Sequence, residues 1–129
     1  MTELTLYVMQ SGKDPDEKRL LESFGTDILL HVKKVKPGSA LPDPDVKDWY
    51  MIMYDCEYLG KALAQAIPVF LTHLESDYLV AYKRSGVEGN MKYTNAPRLF
   101  QKHVKLSGAS LMPEGDLTAN TILDGYIFE

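Results

Sequence analysis

The spacing of apolar residues divides the chain into short strands and helices. Residues 4–9 alternate and are rich in strand-forming side chains, so they predict a first strand. Residues 27–35 predict a second strand, and the almost unbroken apolar run 49–54 predicts a strand that is buried on both faces. Further extended segments are expected later in the chain, at residues 77–83, 98–106 and 121–128.

Two segments between these strands have the spacing of helices. Asp14 is a suitable N-cap and Glu17 completes the capping-box spacing, so a helix is expected to begin here and to end at Gly25. A second helix is predicted by the apolar residues that follow Tyr58, and Pro68 is expected to break or restart it.

The order of these elements, β-α-β twice and then strands, is typical of an α/β protein. We therefore expect an α/β fold in which helices are packed on a mixed β-sheet. The chain has 129 residues, of which 45% are apolar and 25% are charged. Since this length and composition suit one globular core, the sequence predicts a single α/β domain over residues 1–129.

Composition and charge exclude several classes of protein. The only cysteine, Cys56, has no disulfide partner within the chain, and the N-terminal residues do not resemble a secretory leader. No apolar run approaches the ~20 residues that a membrane helix needs. The net charge of −4 does not favour nucleic acid. We therefore expect a cytoplasmic protein with no membrane span and no nucleic-acid partner.

The charged residues are distributed unevenly. Acidic residues are concentrated between Asp43 and Glu57, and basic residues between Lys83 and Lys105. This order suits a site that takes a metal ion and an anion together. Solvated loops and strand faces would give the same pattern, so the charges alone leave both interpretations open.

Two carboxylates, Asp55 and Glu57, directly follow the apolar run that ends at Tyr54. Ligands of open α/β sheets gather at the carboxyl ends of strands. In an extended chain, side chains two residues apart point the same way, so both carboxylates would reach one Mg²⁺ or Mn²⁺ ion. The alternative is that both acids lie at the N-terminus of the next helix, where the helix dipole favours them.

The segment 48–57, Asp-Trp-Tyr-Met-Ile-Met-Tyr-Asp-Cys-Glu, resembles the metal-binding segment of nucleotide-sugar glycosyltransferases of the GT-A fold. In that family an aromatic-rich strand runs into Asp-x-Asp or Asp-x-Glu. Residues 77–84 and 98–102 are similar to the segments that follow this motif in some members. The resemblance covers residues 4–9 and 45–105 and implies a minimal nucleotide-diphospho-sugar transferase (GT-A) fold.

The resemblance also implies a function and a set of site residues. Asp55 and Glu57 would hold Mg²⁺ or Mn²⁺ bound to the diphosphate of a nucleotide sugar. Lys13, Arg98 and Lys102 would contact the nucleotide, the phosphate or the acceptor, while no residue is assigned as the catalytic base. The loop at 36–48 replaces a strand and a helix of the family, so a degenerate relative without activity fits the sequence equally well.

A second interpretation needs no enzyme. The short chain, its many tyrosines and the absence of an assigned base also suit a non-enzymatic α/β module that binds a partner or assembles with itself as a homo-oligomer. Such a module would show no metal dependence. The two interpretations therefore differ in what Asp55 and Glu57 contact.

Overall fold

The computed structural model describes residues 2–36, 38–72, 75–108, 112–113 and 115–129. Its elements, in chain order, are β1 (Thr2–Met9), α1 (Glu17–Glu22), β2 (Ile28–Val35), β3 (Gly38–Leu41), β4 (Trp49–Tyr54), β5 (Tyr58–Leu59), α2 (Lys61–Phe70), β6 (Tyr78–Val87), β7 (Asn90–Gln101), β8 (Leu106–Gly108), β9 (Ala119–Thr121) and β10 (Ile127–Phe128).

The predicted fold, an α/β domain with packed helices and a minimal GT-A architecture, is wrong. The described chain is mostly β, with one mixed sheet that curls into a half-barrel and two helices of six and ten residues. The second half of the chain accounts for the difference. Strands β6 and β7 form one long antiparallel hairpin of ten and twelve residues, where the prediction had shorter, separate extended segments at 77–83 and 98–106.

The large sheet has the strand order β2-β1-β4-β7-β6-β10-β5, and β9 also pairs with β6. Strands β2, β1 and β4 are parallel, with Leu6 of β1 in register with Val32 on one side and Met51 on the other. Strand β7 is antiparallel to both β4 and β6. The carboxyl ends of the three parallel strands therefore meet at one edge of the sheet.

Alternate side chains of the central strands enter cores on opposite faces of the sheet. On one face Leu6 and Met53 lie with Leu20 of α1 and Leu63 of α2. The small sheet formed by β3 and β8 contributes to the core of the other face, which contains Tyr7, Met9, Leu41, Val46, Tyr50, Ile52, Phe100, Val104 and Leu106. The prediction that the run 49–54 is a strand buried on both faces is confirmed.

Both predicted helices exist, with different boundaries. The first has Asp16 as its N-cap, whose carboxylate accepts a hydrogen bond from the Arg19 backbone N–H. The second continues through Pro68 to Phe70, so the expected break at the proline is wrong. A proline removes only one backbone donor here, and the buried face around Leu63 and Ile67 holds the helix against the sheet.

No helix within the described ranges is long and apolar enough to cross a membrane. The cytoplasmic location and the single domain over residues 1–129 stay predictions.

Candidate functional site

A turn follows β4 and separates the two predicted metal ligands. The Glu57 backbone N–H donates to the Tyr54 carbonyl over 3.0 Å, and the Tyr54 N–H donates to Glu57 Oε1 over 2.7 Å. Residues Asp55 and Cys56 form the turn itself. Because the chain is not extended here, side chains two residues apart do not share a direction, and the two carboxylates have different partners.

The Glu57 side chain is completely buried and paired with an arginine that is almost completely buried. Arg98 Nη1 donates to Oε1 over 2.6 Å, and Nη2 donates to Oε2 over 2.9 Å. Arg98 Nη1 also donates to the Ile52 carbonyl over 3.2 Å. Lys83 Nζ lies 2.6 Å from Glu57 Oε2. This carboxylate therefore has two cationic partners as well as the Tyr54 N–H.

These partners determine the ionisation of Glu57. Burial acts to raise the pKa of the Glu57 carboxyl, but the hydrogen bonds and charge of Arg98, together with Lys83 and the Tyr54 N–H, outweigh it. The net effect is a pKa below the ordinary value. Glu57 is therefore a carboxylate held ionised in the interior by cations of the protein itself.

The buried pair continues outward as a row of alternating charges. Lys83 Nζ also lies 2.8 Å from Glu129 Oε2, and the other oxygen of Glu129 pairs with Lys13. The Lys13 side chain is largely exposed and lies in the loop after β1. The row Arg98, Glu57, Lys83, Glu129 and Lys13 thus joins the interior to the loop at the carboxyl end of β1.

Asp55 faces the same loop with a different set of contacts. Its Oδ1 accepts hydrogen bonds from Ser11 Oγ over 2.6 Å and from the Ser11 N–H over 3.1 Å. Its backbone N–H donates to the Met9 carbonyl, and its own carbonyl accepts from the Asp16 N–H. The side chain is almost completely buried. Asp55 therefore anchors both ends of the connection between β1 and α1.

A cleft of about 520 Å³ opens where β2, β1 and β4 end. We refer to it as the strand-end cleft, and its polar lining consists of Gln10, Glu17, Lys34, Lys36 and Asp55. Lys34 Nζ lies 3.1 Å from Glu17 Oε2 across the cleft. Oδ2 of Asp55 accepts no hydrogen bond from any described residue, so one oxygen of this carboxylate is free to contact a ligand.

The five site residues predicted from the sequence are not gathered at one place. Arg98 and Glu57 meet in the interior, and Lys13 is held by Glu129. Lys102 is exposed, with its backbone N–H bonded to the Asp48 carbonyl, and does not line the strand-end cleft. Of the five, Asp55 alone lines this cleft.

Sequence reasoning missed some residues of the strand-end cleft and of the row of charges that runs from Arg98 to Lys13. Lys34 and Lys36 were recognisable in principle, since consecutive parallel strands joined by a helix end at the same edge of a sheet. Ser11 lies two residues before Lys13, for which the resemblance already implied a ligand contact. No sequence signal linked Glu129 to Lys83, because that contact depends on how β10 docks beside β6.

The pair Asp55 and Glu57 does not fit a shared cation. Both oxygens of Glu57 are bonded to Arg98 or Lys83, and a metal would have to displace these cations. In the part of the chain that the structure describes, no group of three or more histidine, cysteine, aspartate or glutamate residues is placed to hold a metal ion. A metal at this site stays a prediction, with Asp55 as the one carboxylate of the pair that faces the strand-end cleft.

Comparison with known proteins adds no relative. No protein-family model, curated protein sequence or solved structure gives a significant match to this chain.

Proposed function

We propose that this protein binds a nucleotide sugar in the strand-end cleft. The observation that carries the proposal is the position of the cleft at the carboxyl ends of three parallel strands, with a free carboxylate oxygen and two lysines in its lining. In open α/β sheets ligands bind outside these ends, and β1, α1 and β2 form a β-α-β unit of that kind here. The cleft volume of about 520 Å³ lies within the range of roughly 300–1,000 Å³ typical of small-molecule sites.

Asp55 and Lys36 have distinct roles in this proposal. Mg²⁺ and Mn²⁺ are commonly held by one or two carboxylates together with phosphate oxygens, and Asp55 Oδ2 is the oxygen suited to this role. Lys36 is exposed at the cleft and supplies positive charge for a phosphate. Ser11 orients the Asp55 carboxylate through two hydrogen bonds to its other oxygen.

Glu57 has no ligand-binding role in this proposal. Its bonds to Arg98 and Lys83 fix the turn after β4, and that turn carries Asp55. We therefore assign Glu57 and Arg98 as positioning residues. Transfer of the sugar to an acceptor would need a further group that accepts the acceptor's proton, so the proposal concerns binding.

Thermal melting with Mn²⁺ and a panel of UDP-, GDP- and CDP-sugars tests the proposal. A ligand at 100 times its dissociation constant stabilises the folded state by about 2.7 kcal/mol, which is a readily measured rise in melting temperature. We expect this rise for one nucleotide class and only with the metal present. Asp55→Asn should abolish it, because the amide keeps the oxygen that Ser11 contacts and replaces the free one.

Two substitutions away from the cleft serve as controls. Asp124→Asn removes an exposed carboxylate and Lys92→Ala an exposed cation, and neither residue lines the strand-end cleft. Both should leave the ligand-induced rise unchanged, whereas Lys36→Ala should reduce it. If no sugar nucleotide raises the melting temperature of the unmodified protein, the proposal fails and the non-enzymatic alternative is preferred.

A further inference from the structure

Two of the four charged side chains that line the strand-end cleft form an ion pair across it. Lys34 belongs to β2, and its Nζ lies 3.1 Å from Oε2 of Glu17 in α1. The lysine side chain is 74% exposed and the glutamate side chain 39% exposed, so a ligand in the cleft can reach both charged groups. The other two charged side chains, Lys36 and Asp55, form no ion pair with any described residue.

The charges of this lining are balanced. The two lysines carry two positive charges, and Glu17 and Asp55 carry two negative ones. A divalent cation on Asp55 would bring the total to two positive charges. The diphosphate of a nucleotide sugar is esterified at both ends and carries two negative charges, which match this total. A free nucleoside diphosphate ends in a phosphate monoester, whose second pKa of about 6 gives it a further negative charge above that pH.

We propose that Glu17 is a specificity-determining residue, which makes the strand-end cleft disfavour a free nucleoside diphosphate relative to the nucleotide sugar. This inference rests on the proposed function. The Glu17 carboxylate cancels one positive charge of the lining and keeps the Lys34 ammonium as its partner. The additional charge of a free nucleoside diphosphate therefore has no cation left to pair with in the cleft, and Glu17 repels it.

The local structure holds Glu17 at the cleft. The preceding residue, Asp16, is the N-cap of α1, and its backbone N–H donates to the Asp55 carbonyl over 2.9 Å. The first turn of the helix is thus tied to the turn after β4. The Glu17 carboxylate therefore lies in the same cleft as the carboxylate proposed to hold the metal.

Two dissociation constants measured by calorimetry with Mn²⁺ at pH 8 test the proposal, one for the nucleotide sugar and one for the nucleoside diphosphate of the same base. We expect the ratio of the first constant to the second to rise roughly three- to fivefold in Glu17→Gln, which is the effect of one partly exposed charge. In Lys34→Gln the ratio should fall, because a cation is lost. Both variants lack the ion pair, so a merely structural role of the pair would move the ratio in the same direction in both.

A second ion pair on the same helix provides matched controls. Lys18 Nζ lies 4.0 Å from Glu22 Oε1, both side chains are exposed, and neither residue lines the strand-end cleft. Glu22→Gln and Lys18→Gln should therefore leave the ratio of the two dissociation constants unchanged.

The outcomes separate this inference from the proposed function. If the unmodified protein binds a nucleotide sugar and the ratio is unchanged in Glu17→Gln, the inference is overturned and the proposed function stands. A shift in the same direction in Glu17→Gln and Lys34→Gln, or an equal shift in Glu22→Gln, would overturn it in the same way. If the unmodified protein binds no nucleotide sugar, the proposed function and the inference fail together.

Discussion

Arg98 and Glu57 are joined by two parallel hydrogen bonds of 2.6 and 2.9 Å inside the protein, and both side chains are almost completely shielded from solvent. The pair connects strand β7 to the turn after β4. A guanidinium that meets a carboxylate in this two-bonded geometry gains direction as well as charge attraction. The position of the turn, and of Asp55 within it, therefore depends on a contact between residues 41 positions apart in the chain.

Removing the arginine alone should be costly. We expect Arg98→Met to lower the free energy of unfolding by about 3–5 kcal/mol, because Glu57 would be left buried without the guanidinium that donates to both of its oxygens. Urea denaturation at neutral pH measures the change. Lys47→Met is the matched control: Lys47 pairs with Glu3 on the surface, and such pairs contribute only about 0–1 kcal/mol. Equal losses of unfolding free energy in Arg98→Met and Lys47→Met would contradict the view that the buried pair stabilises the fold more than a surface pair does.

The same pair should make stability depend on pH. The pKa of Glu57 is lowered in the folded protein from its ordinary value of 4.5, so the unfolded state binds more protons in acid. The stabilisation is fully present above pH 4.5 and is lost as the pH falls through the lower, folded pKa. As the pH is lowered from 4.5 through the folded pKa, we expect the urea midpoint to decrease less steeply in Glu57→Gln than in the unmodified protein. Parallel curves would show that Glu57 does not titrate in this way.

Gly125 should not tolerate a side chain. Its φ angle is +79°, and a Cβ atom there would lie 2.7 Å from the Leu63 backbone nitrogen in α2. We expect Gly125→Ala to destabilise the protein by more than the roughly 1–3 kcal/mol of backbone strain alone. Gly89→Ala is the control, since its φ angle is +84° and nothing lies within 4 Å of the added Cβ. A thermal melt of both variants separates the close contact from the strain.

The Ser11 hydroxyl should stabilise the loop above Asp55. Ser11→Ala removes the 2.6 Å hydrogen bond to Oδ1 and keeps the one from the backbone N–H. We expect a loss of about 1 kcal/mol in the free energy of unfolding. Thr72→Ala removes a 2.7 Å hydrogen bond to the Val69 carbonyl just after α2, where Thr72 is exposed, and should cost less. If the nucleotide-sugar proposal is correct, Ser11→Ala should also weaken nucleotide-sugar binding, and Thr72→Ala, which lies away from the strand-end cleft, should not.

The parts of the fold that local pattern determines were predictable from the sequence. The first strand, the strand at 49–54 and the helix near Glu17 were recognised from alternation, an apolar run and a cap. The architecture was not, because it depends on pairings between distant segments. The short strands β5, β9 and β10 contain two or three residues each. They are strands only because of their partners, since β9 and β10 pair with β6 and β5 pairs with β10.

The candidate site was predictable to a similar extent. The position of Asp55 at the end of a buried strand followed from the sequence. The shared direction of Asp55 and Glu57 did not hold, because it assumed an extended chain and the backbone turns at these residues. The contact between Glu57 and Arg98 requires the register of β4 against β7, which the spacing of apolar residues does not specify.

The docking of β10 has a consequence for how the protein is made. Ile127 is completely buried in the main core, and its strand fills the position between β5 and β6. While a ribosome is still adding the preceding residues, Leu59 and Lys83 lack this neighbour, and one part of the sheet remains open. The core of the nascent chain therefore cannot be completed until residues 127–128 have left the exit tunnel. A pause before that point leaves unpaired strand edges and apolar surface exposed, which promotes aggregation unless chaperones bind the chain.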